Sequence, residues 1–243
     1  MLSCLIRTIQ SRFLCQRGHL LIENDATRTL SVMKLYYAPG ACSLAPHIVL
    51  EEVGARFELS RVDLSANQQI SAEYLRINPK ARVPALSDGG WILTEVPAIL
   101  RYVAARHPAA GLWPWDSREE ARCAEWLNWI SSTIHVAFAH IRRAARYASD
   151  PRAAEDVAAT AKKTCRELWQ AVDAKIGQGP WAIGERYSVA DPYLLVYWTW
   201  GRGPVLGFDM ARDFPHWTAH AQRLAVRPAV QRAFATEGLT LPA

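Results

Sequence analysis

Apolar positions along the chain change period once, near residue 108. Before that point, short apolar runs alternate with helical spacing. Leu35, Tyr36 and Tyr37 make a brief apolar-aromatic run that ends in the turn Ala38-Pro39-Gly40-Ala41. Leu44, Ile48 and Val49 then recur at helical intervals up to Gly54, which predicts a helix over 44–54. Phe57, Leu59 and Val62 alternate, which predicts a strand over 57–64. A strand–helix–strand passage this short favours parallel pairing through a right-handed crossover. Residues 71–77 read as a short helical turn. RVPAL (82–86) and WILT (91–94) read as strands joined across Asp88-Gly89-Gly90, a turn suited to a hairpin. EVPAILRYVAARH predicts a helix over 95–107 with Ile99, Leu100 and Val103 on one face. Pro97 is tolerated there, because the first turn has no helical donor to lose.

Beyond PAAGLWPWD (108–116) the strand signals stop. A long helical pattern covers 118–148, with Ala121, Ala124, Leu127 and Trp129 prominent, until Asp150-Pro151-Arg152 interrupts it. A second long pattern runs to about Ile176, and GQGPWAIGERY follows as a loop. SVADPYLLVYWTW predicts a helix over 188–200, with Ser188 as N-cap and Asp191 closing a capping box. Shorter helices are expected over 214–225 and 228–236. The expected organisation is an α/β domain over 33–111, an all-helical domain over 118–243 and a linker near 108–117. Residues 1–32 stand apart as a basic extension. Leu2, Leu5, Ile6, Ile9 and Phe13 are interleaved with Arg7, Arg12 and Arg17, and no acid precedes Glu23. The segment superficially suits a transit peptide. Met33, immediately before the first strand, favours a disordered extension or a start assigned too early.

Composition narrows the function classes. The 243 residues are 50% apolar, enough for a substantial core, and hold no apolar run of the length a membrane span needs. A net charge of +5 is spread thinly, so a nucleic-acid surface is not expected. Five cysteines (Cys4, Cys15, Cys42, Cys123 and Cys165) show no C-x-x-C and no regular spacing. Such a set suggests a reducing, cytoplasmic setting and neither a disulfide scaffold nor a metal site. Dinucleotide, P-loop, zinc-protease and serine-hydrolase motifs are absent from the sequence.

Candidate chemistry centres on Cys42, near the start of the first helix, where unpaired backbone N–H groups favour a thiolate. A small structural cysteine in a turn is the plainer alternative. Ser43 beside it can donate to a ligand thiolate or cap the helix. Pro84, at the start of a strand, cannot donate to a ladder and marks an edge or a special turn, a cis bond among the options. In the cis case Val83 would offer its backbone groups to an extended, peptide-like ligand. Glu95 opens a helix, either complementing its dipole or meeting a ligand ammonium. His135 has apolar neighbours, as a core or interface histidine would, and His140 does not share its face. Trp126, Trp129, Trp198 and Trp200 are mostly core candidates, although an interdomain cleft would recruit some.

The segments KLYYAPGACSLAPHIVLEE, NPKARVPAL, LTEVPAILRYVA, EWLNWISSTIH and GERYSVADPYLL together resemble a bacterial glutathione transferase of the beta class. The resemblance runs from about Met33 to the C-terminus, with five separated segments in order. It implies a thioredoxin-like glutathione-binding domain followed by a helical bundle, assembled as a homodimer. It implies that Cys42 lies against the glutathione sulfur and that Val83 with a cis Pro84 pairs with the tripeptide backbone. By the same resemblance Glu95 meets the γ-glutamyl end, Val96 offers a backbone N–H to a carboxylate, and Asn128 and His135 approach the ligand from the helical side. Ser188 and Asp191 serve folding. There are departures from the family pattern. Val96-Pro97 replaces the usual Ser or Gly after the acid, and the loop SANQQIS lacks a lysine, so a charge contact is missing there unless Arg82 replaces it. Thr133 stands where the family has an acid.

The leading expectation is conjugation of glutathione, as co-substrate, to small apolar electrophiles, with Cys42, Ser43 and His135 assisting. Glutathione-dependent thiol–disulfide exchange through Cys42 is a second reading. A non-catalytic binder retaining the fold is a third, motivated by Val96-Pro97 and the neutral loop.

Overall fold

The computed structural model describes residues 32–242. The expectations for the extension, Val32 apart, fall outside the described residues, as do Cys4 and Cys15.

The first half builds one four-stranded sheet. Strand β1 (Met33–Tyr37) leads into α1 (Leu44–Glu52) and β2 (Phe57–Arg61), and β1 and β2 pair in parallel with Leu35 opposite Leu59. After α2 (Ala72–Ile77), strands β3 (Ala85–Asp88) and β4 (Trp91–Thr94) complete the order β2-β1-β3-β4, and α3 (Val96–Arg106) follows. The β3–β4 hairpin closes with Asp88 opposite Trp91, and Gly89 and Gly90 take φ of 59° and 86°. Two consecutive positive φ values are what a two-residue type I′ hairpin loop requires.

Two expected strands are shorter than the pattern suggested. β2 stops at Arg61, where the Asp63 carboxylate accepts from the Ser65 and Ala66 amides at 2.9 and 3.1 Å and turns the chain. β3 starts at Ala85 and not at Arg82, since Pro84 has no N–H to give a ladder.

From residue 117 onward all regular structure among the described residues is helical: α4 (Ser117–Trp129), α5 (His135–Arg142), α6 (Pro151–Ile176), α7 (Ala190–Arg202), α8 (Met210–Asp213), α9 (Pro215–Ala225) and α10 (Pro228–Glu237). Asp116 and Asp150 cap α4 and α6 by accepting first-turn amides. The single helix expected over 118–148 is split. A π turn at Ile130–Ile134 separates α4 from α5, which ends at Arg142. The Ser131 and Ser132 hydroxyls both donate to the Asn128 carbonyl, at 3.1 and 2.7 Å, and compete with the regular backbone ladder there. The predicted capping box forms, one residue further from the helix: Asp191 accepts from the Ser188 amide at 2.7 Å, and Ser188 accepts from the Ala190 amide at 3.3 Å.

Helix α1 explains how sheet and helices become one body. Every residue from Leu44 to Leu50 is buried, because α1 packs on α3, α7 and α10 as well as the sheet. At its last residue, Glu52 takes two hydrogen bonds from Arg227, at 2.6 and 2.9 Å, and one from the Tyr187 hydroxyl at 3.0 Å. This bidentate clasp fastens the α/β layer to the α9–α10 junction.

Candidate functional site

The loop between β1 and α1 brings Cys42 to the inner face of the sheet layer. Its thiol donates to the Val83 carbonyl at 3.5 Å, and Val83–Pro84 is a cis peptide. The Tyr74 hydroxyl and the Asn78 amide both donate to the preceding carbonyl, that of Arg82, at 2.8 and 2.6 Å, which fixes the loop carrying Val83. Glu95, at the mouth of α3, has φ of 73°, a backbone state few non-glycine residues adopt. Its carboxylate is exposed and pairs with Lys80 at 2.6 Å. Val96 follows, buried, in the first turn of α3.

From the helical side, α5 and α7 contribute one aromatic cluster. His135 Nδ1 lies 2.9 Å from the Tyr197 hydroxyl, which in turn lies 3.4 Å from the Tyr193 hydroxyl. The Trp200 ring packs edge-on against His135 and stacks on Phe138 with centroids 4.5 Å apart. Tyr193, Tyr197 and Trp200 follow a spacing of four then three along α7, so one helical face carries all three. The spacing is visible in SVADPYLLVYWTW, where the sequence reading singles out Trp200 and passes over Tyr193 and Tyr197.

Electrostatics tie the two sides together. Glu95, Arg82 and Arg143 act on both Cys42 and His135. Burial pushes the Cys42 thiol up to about 12, Glu95 adds to the rise, and its own amide with Arg143 and Arg82 offsets only part. This corrects the expectation that the helix start lowers its pKa. Cys42 stands two residues ahead of α1 and is 7% exposed, so desolvation outweighs the nearby N–H groups. Burial, with the two arginines, lowers His135 to about 4, which leaves a neutral imidazole at pH 7. A neutral ring fits a positioning or polarising task.

Ser43 is fully buried, and its hydroxyl donates to the Ala38 carbonyl while accepting from the Ala38 amide, both at 3.1 Å. It makes no side-chain cap bond and presents no free hydrogen to a ligand thiolate, which corrects its expected catalytic part. Asn128 is exposed, and its side chain makes no hydrogen bond to the other site residues. The π turn between it and His135 inserts about one extra residue, a phase change of roughly 100° that takes the two off a common face.

Two cavities lie nearby, and Cys42 lines neither. One of about 540 Å³ is bounded by Gly40, Trp200, Arg202 and the segment 238–240. The other, about 480 Å³, is a mainly apolar groove between α5 and α6 that includes Val136, Ala137, Val157, Ala161 and Leu168. Among the described residues no cluster of histidine, cysteine and carboxylate groups suits a metal ion, and no helix is long and apolar enough to cross a membrane.

Residues 31–105 match the family model for the glutathione S-transferase N-terminal domain, and residues 131–228 match that for the C-terminal domain. Glutathione S-transferase GstA of Escherichia coli O157:H7 is 37% identical over 210 residues, which cover 85% of this chain and 100% of that protein. A glutathione transferase homologue from Sulfitobacter, solved with bound glutathione, superposes with a TM-score of 0.81 at 38% identity, covering 87% of this chain and all of that one. The beta-class glutathione S-transferase of Sphingomonas chungbukensis gives a TM-score of 0.73 at 37% identity, covering 85% and 100%. With a thioredoxin-like sheet, a helical second half and relatives matched over their whole length, the chain belongs to the glutathione S-transferase family, beta-class enzymes among its structural neighbours.

Proposed function

We propose that this glutathione transferase conjugates glutathione to small apolar electrophiles at the junction of the Cys42 loop and the α5–α7 aromatic face. The observation that carries the reading is the Cys42 thiol held 3.5 Å from the Val83 carbonyl, with Glu95, Arg82 and Arg143 acting on it and on His135 alike. Glutathione would run along Val83 and Pro84 with its cysteine beside Cys42. Its γ-glutamyl ammonium would meet Glu95, and a carboxylate would meet the Val96 amide at the start of α3. Arg82 stands in for the missing loop lysine. Asn128 would approach only from the rim. An electrophile would rest on the half-buried Trp200 ring, backed by Tyr197 and Phe138, with neutral His135 polarising it. The gain comes from approximation of two bound reactants in a partly dry site.

The experiment is glutathione titration calorimetry on the full chain and on Cys42→Ala, followed by an electrophile panel. Binding in both proteins with turnover in the panel is the expected result. Saturating glutathione without product from any electrophile would sink the conjugation reading.

Thiol–disulfide exchange stays as a second reading because one thiol stands at the site. Cys42 would attack a substrate disulfide and release one thiol. Glutathione would then take the bound half as a mixed disulfide and free Cys42. Its thiol, pushed up to about 12, is a poor attacking group until the loop opens, which ranks this reading second. Cys42→Ala should abolish reduction and spare conjugation.

Assembly as a homodimer draws support from the apolar groove between α5 and α6, beside exposed Val136. Sedimentation equilibrium tests it. A detoxifying role in the cytoplasm is consistent with the same reading.

A further inference from the structure

The turn that carries Cys42 is held from outside its own domain. Gly40, two residues before the cysteine, has both backbone groups taken by the helical half. Its amide donates to Glu237 Oε2 at 2.9 Å, and its carbonyl accepts from Trp200 Nε1 at 2.8 Å. The second carboxylate oxygen, Glu237 Oε1, lies 2.8 Å from His47 Nδ1 on α1, and neither side chain has any exposure. His47 Nε2 has no hydrogen-bond partner among the described residues, and its ring packs edge-on against Phe57 and at a tilt against Tyr37. Gly40 has φ of +68°, and a Cβ there would stand 3.4 Å from Leu239 Cδ2, just past the end of α10. A buried carboxylate is costly unless its lone pairs are satisfied, so its spending one oxygen on a loop amide points to a task beyond packing.

We propose that Glu237, oriented by His47, is a positioning residue that holds the Cys42 loop closed and sets how far the Cys42 thiol and the adjoining glutathione sulfur position are exposed. Trp200 grips the other side of the same residue. Its ring also packs on His135, so one side chain fixes both the loop and the imidazole. The functional consequence for glutathione rests on the site reading above, whereas the mechanical one, control of Cys42 exposure, does not.

The test is alkylation of Cys42 by iodoacetamide in the full chain, followed at the peptide level by mass spectrometry. Buried Cys123 and Cys165 serve as internal reporters of global opening. Glu237→Gln keeps the shape and removes the charge. It should make Cys42 react about tenfold faster, as loss of one charge-assisted hydrogen bond would, while Cys123 and Cys165 stay protected. Where an electrophile is turned over, kcat should fall by roughly threefold to tenfold with the glutathione KM kept within about twofold. Arg232→Ala is the matched control, since it loosens α10 by removing the Glu51 pair and leaves Gly40 untouched. Trp200→Phe tests the other grip should Glu237→Gln not fold, with faster Cys42 alkylation again expected. Wild-type alkylation rates in a folded Glu237→Gln or Trp200→Phe protein overturn the proposal. So does an acceleration shared equally by Cys123, Cys165 and the Arg232→Ala protein. If the wild type turns over no electrophile, the conjugation reading fails, and the alkylation contrast still decides the clamp.

Discussion

Two buried histidine–carboxylate pairs in this molecule share a design and differ in what they hold. His220 faces Asp191 in the helical core, and His47 faces Glu237 beside the reactive loop, each at 2.8 Å with no side-chain exposure. Each histidine leaves its other ring nitrogen without a partner among the described residues, His220 Nδ1 and His47 Nε2. Each carboxylate also accepts from backbone amides. Asp191 takes those of Ala182 and Ser188, both within ten residues of it, whereas Glu237 takes that of Gly40 across a separation of 197 residues. The same chemistry therefore knits a local loop in one place and a distant functional loop in the other. Local ties build stability, and the long tie places a group.

The largest effect expected from breaking this comparison is on stability at Asp191. Asp191→Ala strands the Ser188 amide, the Ser188 hydroxyl and His220 in a dry core, together with the half-buried Ala182 amide, and should cost about 3–5 kcal/mol. Guanidinium unfolding measures it, with Cys42 alkylation in the folded protein unchanged. Glu237→Ala strands one amide and one histidine, and should cost about 1.5–3 kcal/mol while exposing Cys42. Equal costs in the two variants, with equal Cys42 reactivity, would collapse the distinction.

How much of this was legible in the sequence follows the same divide. Ser188 and Asp191 lie three residues apart, so a capping box could be read directly from SVAD. The hairpin across Gly89 and Gly90 and the parallel β1–α1–β2 unit were equally local. Glu237 and His47 carry no local mark. An acid near the end of one helix and a histidine inside another meet only when the fold closes. The split of the long helix escaped because two serines, ordinary in a helix by pattern, turned their hydroxyls onto Asn128. The rise in the Cys42 pKa escaped because sequence shows a helix start and does not show burial. Val83, Pro84 and Glu95 were placed by the family resemblance, which is knowledge of form carried over residue by residue.

A third histidine sharpens the contrast. His135 faces a tyrosine hydroxyl and no carboxylate, and burial lowers it to about 4. Its unfolded value is about 6.5, so between these limits the unfolded chain binds the extra proton. Its contribution is complete above about pH 6.5 and is lost as pH falls toward 4. Urea unfolding across that window should show stability declining with acid, and His135→Gln should decline less steeply. An identical slope in both proteins would show that His135 is free to charge in the fold. The smallest effect belongs to Arg232 on the outer face of α10, where its exposed pairing with Glu51 is worth about 0.5 kcal/mol or less. A larger loss in Arg232→Ala would mean that α10 is held mainly from outside, and not through Glu237.

The grip of Glu237 on Gly40 also sets a timetable. During synthesis the Cys42 loop leaves the ribosome long before its clasp exists, since 197 residues separate the two partners. At about 5–20 residues per second that interval is on the order of 10–40 seconds. For that time the nascent sheet layer carries an unclamped thiol, and the reactive loop is complete only after α10 has emerged and docked.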